Sequence, residues 1–272
     1  MTLAKFAQKL ALASSIMLAV VSQQASAITI NLDLTGVASP TQQAAFTLAE
    51  NYWETVLIGY QDGITIDGGV NIEANVSPID GVGNILGSAG PTNPLAFQND
   101  YYLTKQGIMN FDSEDLGYLE TNGFLYDVIL HEMAHVLGFG TLWELNGVYD
   151  PGTGQYTGTN ALSTYQTEFN QPDATFVPVE LGGGAGTAGG HWNEVDNGSG
   201  LTGITDVNDN DLRNELMTGW LNSPTFVSNT TKMSFMDIGY EVAVVPVPAA
   251  LWLFISGVGL LLGFSRRKKT AY

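Results

Sequence analysis

Five consecutive residues, His131-Glu132-Met133-Ala134-His135, gather the side chains best suited to chemistry in this 272-residue chain. Positions four apart lie on one helical face about one turn from each other, so His131 and His135 can direct two imidazoles at a single ion. Glu132 then projects beside that ion. A zinc-dependent peptidase needs this arrangement: two histidine ligands, an open coordination position for water, and a carboxylate that accepts the water's proton. The chain holds only three histidines, and two of them fall at ligand spacing around a glutamate, so chance placement on an ordinary amphipathic helix is a poor account.

The apolar run from Phe124 supplies the helix. Gly138 supplies its end, because a residue without a Cβ can take the left-handed conformation that turns the chain sharply after the second ligand. Zinc calls for a third protein ligand. The remaining histidine, His191, stands in Gly189-Gly190-His191-Trp192, where flanking glycines let the backbone bend toward the ion. Glu144, Asp150 and Glu168 compete with it, since some zinc sites are completed by a carboxylate. Cysteine is absent, which removes thiolate ligands, disulfides and a cysteine nucleophile together.

The elements that must position these groups read as mixed α and β. Ile28 to Leu34 and Gly69 to Val76 alternate with period two, as half-buried strands do. Between them, Thr41 to Leu57 carries Phe46, Leu48, Ala49, Tyr52, Trp53, Val56 and Leu57 at helical spacing. Residues 78–94 are rich in glycine and proline and read as loop. Asp112 or Ser113 can cap a short helix over Glu114 to Glu120, just before the motif-bearing helix. A hydrophobic content of 44% suffices for a packed core, and no repeat or long linker divides the domain, expected over residues 28–245.

Both ends read as targeting segments. Residues 1–27 hold Lys5 and Lys9, an apolar core from Leu10 to Val21 and the small-residue site Ala25-Ser26-Ala27, the order of a secretory signal peptide. Residues 246–272 hold Pro246-Val247-Pro248, an apolar run from Ala249 to Phe264 and then Arg266-Arg267-Lys268-Lys269, a short membrane segment with a basic cytoplasmic flank. With both ends set aside, Lys105, Arg213 and Lys232 stand against 27 acids, a net charge of −24. Nucleic-acid binding is excluded, because phosphate contact needs a basic footprint. Asp206 to Asp211 has carboxylates spaced for a Ca2+ loop, but it lacks the glycine at position six and the glutamate at position twelve of an EF-hand, and a solvated loop is the simpler reading.

Two resemblances add to this. The tail is similar to the PEP-CTERM sorting signal of Gram-negative bacteria. That implies recognition by an exosortase-type membrane enzyme, transient anchoring in the inner membrane by residues 249–264, and a final place on the outer surface or in the extracellular matrix. The domain resembles the leishmanolysin family of metzincins over most of residues 40–242. The matching segments are Asp80 to Gly87, His-Glu-Met-Ala-His-Val-Leu-Gly-Phe-Gly at 131–140, Gly-Gly-His-Trp at 189–192, Asn214-Glu215-Leu216-Met217-Thr218-Gly219, and Met233 to Tyr240. In most metzincins the third histidine follows three residues after the helix-ending glycine, where this chain has Thr141. The leishmanolysin type places it after a long insertion.

That resemblance implies His131, His135 and His191 as ligands of one Zn2+, Glu132 as general base, and Met217 as the methionine beneath the metal, with Met233 and Met236 as alternatives. It also implies an α+β, zincin-like fold of two subdomains: a twisted N-terminal sheet, the active-site helix, and an irregular C-terminal part, with an extended protein or peptide substrate in the cleft between. The chain departs from the family in having no cysteine, which rules out cysteine-based latency, and in a longer segment from Asn197 to Arg213. Two functions follow as expectations: an exported zinc endopeptidase, favoured by the intact Glu132 and three histidines, or a non-catalytic surface or matrix protein that keeps the fold and the zinc.

Overall fold

The computed structural model describes residues 28–37, 39–195 and 197–243, so the expected signal peptide and sorting tail lie outside the described residues. Among the described residues no helix is long and apolar enough to cross a membrane. The fold is mixed α+β. Its first half runs β1 (Ile30–Gly36), α1 (Pro40–Val56), β2 (Leu57–Tyr60), β3 (Val70–Ser77), β4 (Gly87–Pro91), β5 (Ala96–Gln98), β6 (Tyr101–Leu103), β7 (Gln106–Asp112), α2 (Leu116–Asn122) and α3 (Leu125–Leu137).

The alternation along β3 sends Val70, Ile72 and Ala74 into the core and leaves Asn71 and Glu73 outside, as a sheet with one covered face requires. β3 pairs in parallel with β1 on one side and β7 on the other, and β4 closes the sheet antiparallel to β7, giving the order β1-β3-β7-β4. Helices α1 and α3 pack together across this sheet. Phe46 meets Phe111 of β7 edge to face at 5.2 Å between ring centres, and the Trp53 indole N–H donates to the Leu130 carbonyl over 3.0 Å. That bond ties α1 to α3 one residue before His131.

Two local expectations need correction. The glycine- and proline-rich stretch expected as loop contains β4, paired from Gly87↔Phe111 to Pro91↔Gly107. Gly-Ser-Ala-Gly-Pro has little strand propensity of its own, so the pairing with β7 makes it a strand. Likewise Asp112 and Ser113 do not cap α2, whose N-cap position is Asp115. The Asp112 carboxylate instead accepts the backbone N–H groups of Ile79, Asp80, Gly81 and Glu114, and so fastens the turn that leads into β4.

The second half is held by two helices, α4 (Thr159–Glu168) and α5 (Asn229–Met236), with short strands β8 (Gln155–Tyr156) and β9 (Val177–Pro178). Its last strand, β10 (Tyr240–Val242), returns to pair with β2. The helices cap one another: Asp237 accepts the Asn160 and Ala161 amides at the start of α4, and Glu168 accepts the Asn229 and Thr230 amides at the start of α5. Carboxylates at helix N-termini satisfy free N–H groups and complement the helix dipole. Phe139, Trp143, Tyr156 and Trp192 fill the space between the halves, with Trp143 and Trp192 stacked at 4.9 Å.

Candidate metal centre

Helix α3 carries His131 and His135 on one face, as their spacing requires. It ends at Gly138 with φ 117°, where a Cβ would come within 2.9 Å of Ile238 Cδ1. The chain turns there and passes Gly140, whose missing Cβ would lie 2.3 Å from the Gly190 carbonyl oxygen. This backbone contact seats the His191 segment against the end of α3. Thr141 donates its hydroxyl to the His135 carbonyl at 2.6 Å and faces back onto the helix.

The three histidines converge. Their Nε2 atoms are mutually 3.0 Å apart, and His131, His135 and His191 form a group able to hold a metal ion. Each Nδ1 meets a backbone carbonyl: Leu216 for His131 at 2.7 Å, Phe139 for His135 at 2.9 Å and Thr187 for His191 at 2.9 Å. A carbonyl only accepts, so each Nδ1 carries the proton and each Nε2 presents a bare lone pair to the other two. Three lone pairs converging without a donor between them repel unless a cation sits among them. Nitrogens 3.0 Å apart form a triangle with corners roughly 1.7 Å from its centre, close to the ~2.0–2.1 Å of a Zn–N bond, so the three rings would suit an ion of that size.

The electrostatics agree with this donor set. Burial pushes the His131 imidazole down to about 4 and that of His191 to about 3, while burial and the two neighbouring rings hold His135 well below its ordinary value. All three imidazoles are neutral at neutral pH, the form in which a histidine can bind a metal ion. Burial also raises the Glu132 carboxyl to about 8, with the side chain 6% exposed on the same helix. Gly87 at the start of β4 packs directly against it, since a Cβ there would meet the Glu132 carboxylate oxygen at 3.1 Å.

Met217 is fully buried, whereas Met233 and Met236 on α5 are only partly so. Its neighbour Leu216 supplies the carbonyl that holds His131, and its own carbonyl accepts the Trp192 N–H at 3.0 Å. The 216–217 turn thus touches the segments of two of the histidines. The carboxylates that competed as third ligand lie elsewhere: Glu144 and Asp150 are exposed, and Glu168 caps α5. In the Asp206 to Asp211 stretch, Asp206 accepts the Asn208 and Asn210 amides, and Asp211 accepts those of Thr202, Gly203 and Arg213. Those two carboxylates accept amides of their own loop, as in the solvated-loop reading.

One residue of consequence showed little of its role in the sequence. Glu215 is 1% exposed, and its carboxylate accepts from the Met217 amide at 2.6 Å, the Ser228 amide and hydroxyl, and the Thr231 hydroxyl. Burial raises its carboxyl and those hydrogen bonds oppose the rise. Thr231 also accepts the Trp192 indole N–H, so one buried network braces both the 216–217 turn and the residue beside His191. Only its place beside Leu216 and Met217 hinted at this. Compared with known proteins, the chain matches no family model and no curated protein.

Proposed function

We propose that this chain is a zinc-dependent endopeptidase of the zincin type, similar to the leishmanolysins. One observation carries the reading: three neutral imidazoles point bare Nε2 atoms at a common centre beside a buried glutamate on the same helix. When bound there, zinc supplies a Lewis acid for the scissile carbonyl and lowers the pKa of water toward ~7.

The chain's own groups do the rest. His131, His135 and His191 hold the ion, and their carbonyl partners at Leu216, Phe139 and Thr187 fix the tautomer that makes them ligands. Glu132 takes the proton of the attacking water and delivers it to the leaving amine. The antiparallel edge strand β4 begins against Glu132, so an extended peptide adding to that edge brings its backbone to the same carboxylate. Small side chains along Gly87-Ser88-Ala89-Gly90 leave the edge open to such pairing. An exported setting, sorted by an exosortase-type enzyme, rests on the two chain ends alone.

Casein hydrolysis by the purified protein tests this. A chelator is expected to abolish it and one equivalent of Zn2+ to restore it. Hydrolysis that survives full zinc removal contradicts the proposal.

A further inference from the structure

A second group of acids lies behind His191. Glu180 and Glu194 are 9% and 4% exposed, and they flank the glycine-rich turn that ends at the third histidine. The Glu180 amide donates to the His191 carbonyl at 2.9 Å, and the Gly189 amide donates to the Glu180 carbonyl at 2.7 Å, so the turn closes on itself at this point. Glu180 Oε1 accepts the Gly182 amide, Glu194 Oε2 accepts the Gly219 amide over a long 3.4 Å, and the Glu180 and Glu194 side chains lie within hydrogen-bond reach of each other. Glu194 Oε1 is buried with no hydrogen-bond partner. Burial first, and then the neighbouring Glu180 side chain, together raise the Glu194 carboxyl to about 8.

Two adjoining buried carboxyl groups in contact are relieved either by a shared proton or by a bound cation, and the orphaned Glu194 oxygen leaves room for the cation. The chain has little to offer: residues 28–243 hold three basic side chains, and Arg213 directs its guanidinium to the Gly198 carbonyl and Asn222. Hard oxygen donors of this kind suit calcium better than zinc, and a buried position with little room for retained waters suits it better than magnesium.

We propose that Glu180 and Glu194 bind one Ca2+, which fastens the glycine-rich turn before His191 to the Thr218-Gly219 segment. The ion engages Glu194 Oε1 and takes the place of a proton shared by the pair. It holds the third histidine in place from behind, without touching the three imidazoles. The proposal is independent of peptidase activity, since it is read by calcium binding alone.

The test is calorimetric titration of the purified full-length protein with CaCl2, with Zn2+ saturating and again with Zn2+ absent, alongside Glu180→Gln, Glu194→Gln and the control Asp206→Asn. Wild type and Asp206→Asn are expected to bind one Ca2+ and to gain roughly 3 °C in Tm at saturation. Each Gln variant should lose at least about tenfold in affinity, the loss expected when a ligand of the ion is neutralised. Hydrogen exchange of the wild type locates the ion even if a variant fails to fold: calcium should slow exchange at amides 180–194 and 218–219. No calcium binding overturns the proposal, as does wild-type affinity in both Gln variants. Protection centred on 202–211, or on 79–86 around Asp115, overturns it as well, and so does an equal response to Mg2+.

Discussion

At the scale of single residues, the centre depends on backbone carbonyls as much as on side chains. Leu216, Phe139 and Thr187 each hold one Nδ1–H, and without them an imidazole is free to turn or to change tautomer. Of the three proposed ligands, His191 depends most on distant structure. We expect His191→Ala to lower zinc affinity by more than the ~10–100-fold typical of losing an outer partner, measured by competition with a chromophoric chelator. Wild-type affinity in that variant would mean that the ion does not need this ring. His131, Glu132 and His135 were legible in the sequence because helical spacing alone puts them together. His191 was legible only as the last histidine left, with Glu144, Asp150 and Glu168 still open beside it. The carbonyl partners and the Glu215 network were not legible, since no side-chain pattern announces which peptide oxygen will face a ring.

At the scale of elements, the site is a meeting of the end of α3, the start of β4 and two turns from the second half. Gly140 is where the helix end meets the His191 turn. Gly140→Ala puts a Cβ 2.3 Å from the Gly190 oxygen, so that turn must move. Zinc affinity should fall by about 10–100-fold, as for other losses of ligand support, with helical circular dichroism unchanged; unchanged affinity would show that the contact does not place His191. The approach to β4 depends on Asp112, whose carboxyl is held below its usual range by the Glu114 and Asp80 amides, with further help from Ile79 and Gly81. A depressed folded pKa gives stability that is present above the unfolded value of ~3.9 and is lost as pH falls through the folded one. Asp112→Asn should therefore lower Tm at pH 7, with the gap to wild type closing as pH drops below about 4. A gap unchanged at pH 3 would mean that the charge is not what holds the turn. The sequence showed β1, α1, β3 and α3 through their periodicity, but not β4, whose pairing with β7 comes from contacts distant in the chain.

At the scale of the whole molecule, the domain has no cysteine, and its halves are joined by packing. Trp53 spans α1, α3 and Phe235 of α5, and the Phe139, Trp143, Tyr156 and Trp192 cluster lies behind the histidines. A ligand that binds only the folded chain stabilises it, by about 2.7 kcal/mol when present at 100 times its Kd. Removing zinc with a chelator should therefore lower Tm by roughly 5–10 °C for a domain of this size, whereas a reductant should leave it unchanged. A Tm indifferent to chelation would argue against an ion joining α3 to the His191 turn. The mixed α and β content was readable from periodicity. The closure of the chain by β10 against β2 was not, because three residues carry no period to read.

The most direct test sets Glu132→Gln beside wild type and measures, on the same preparations, zinc per chain and casein turnover. The account predicts one zinc in each, with turnover in the variant lower by ~10²–10⁴-fold, the contribution of a positioned proton acceptor. A zinc-loaded variant that cleaves at the wild-type rate, or a zinc-loaded wild type that cleaves no protein substrate, would contradict it.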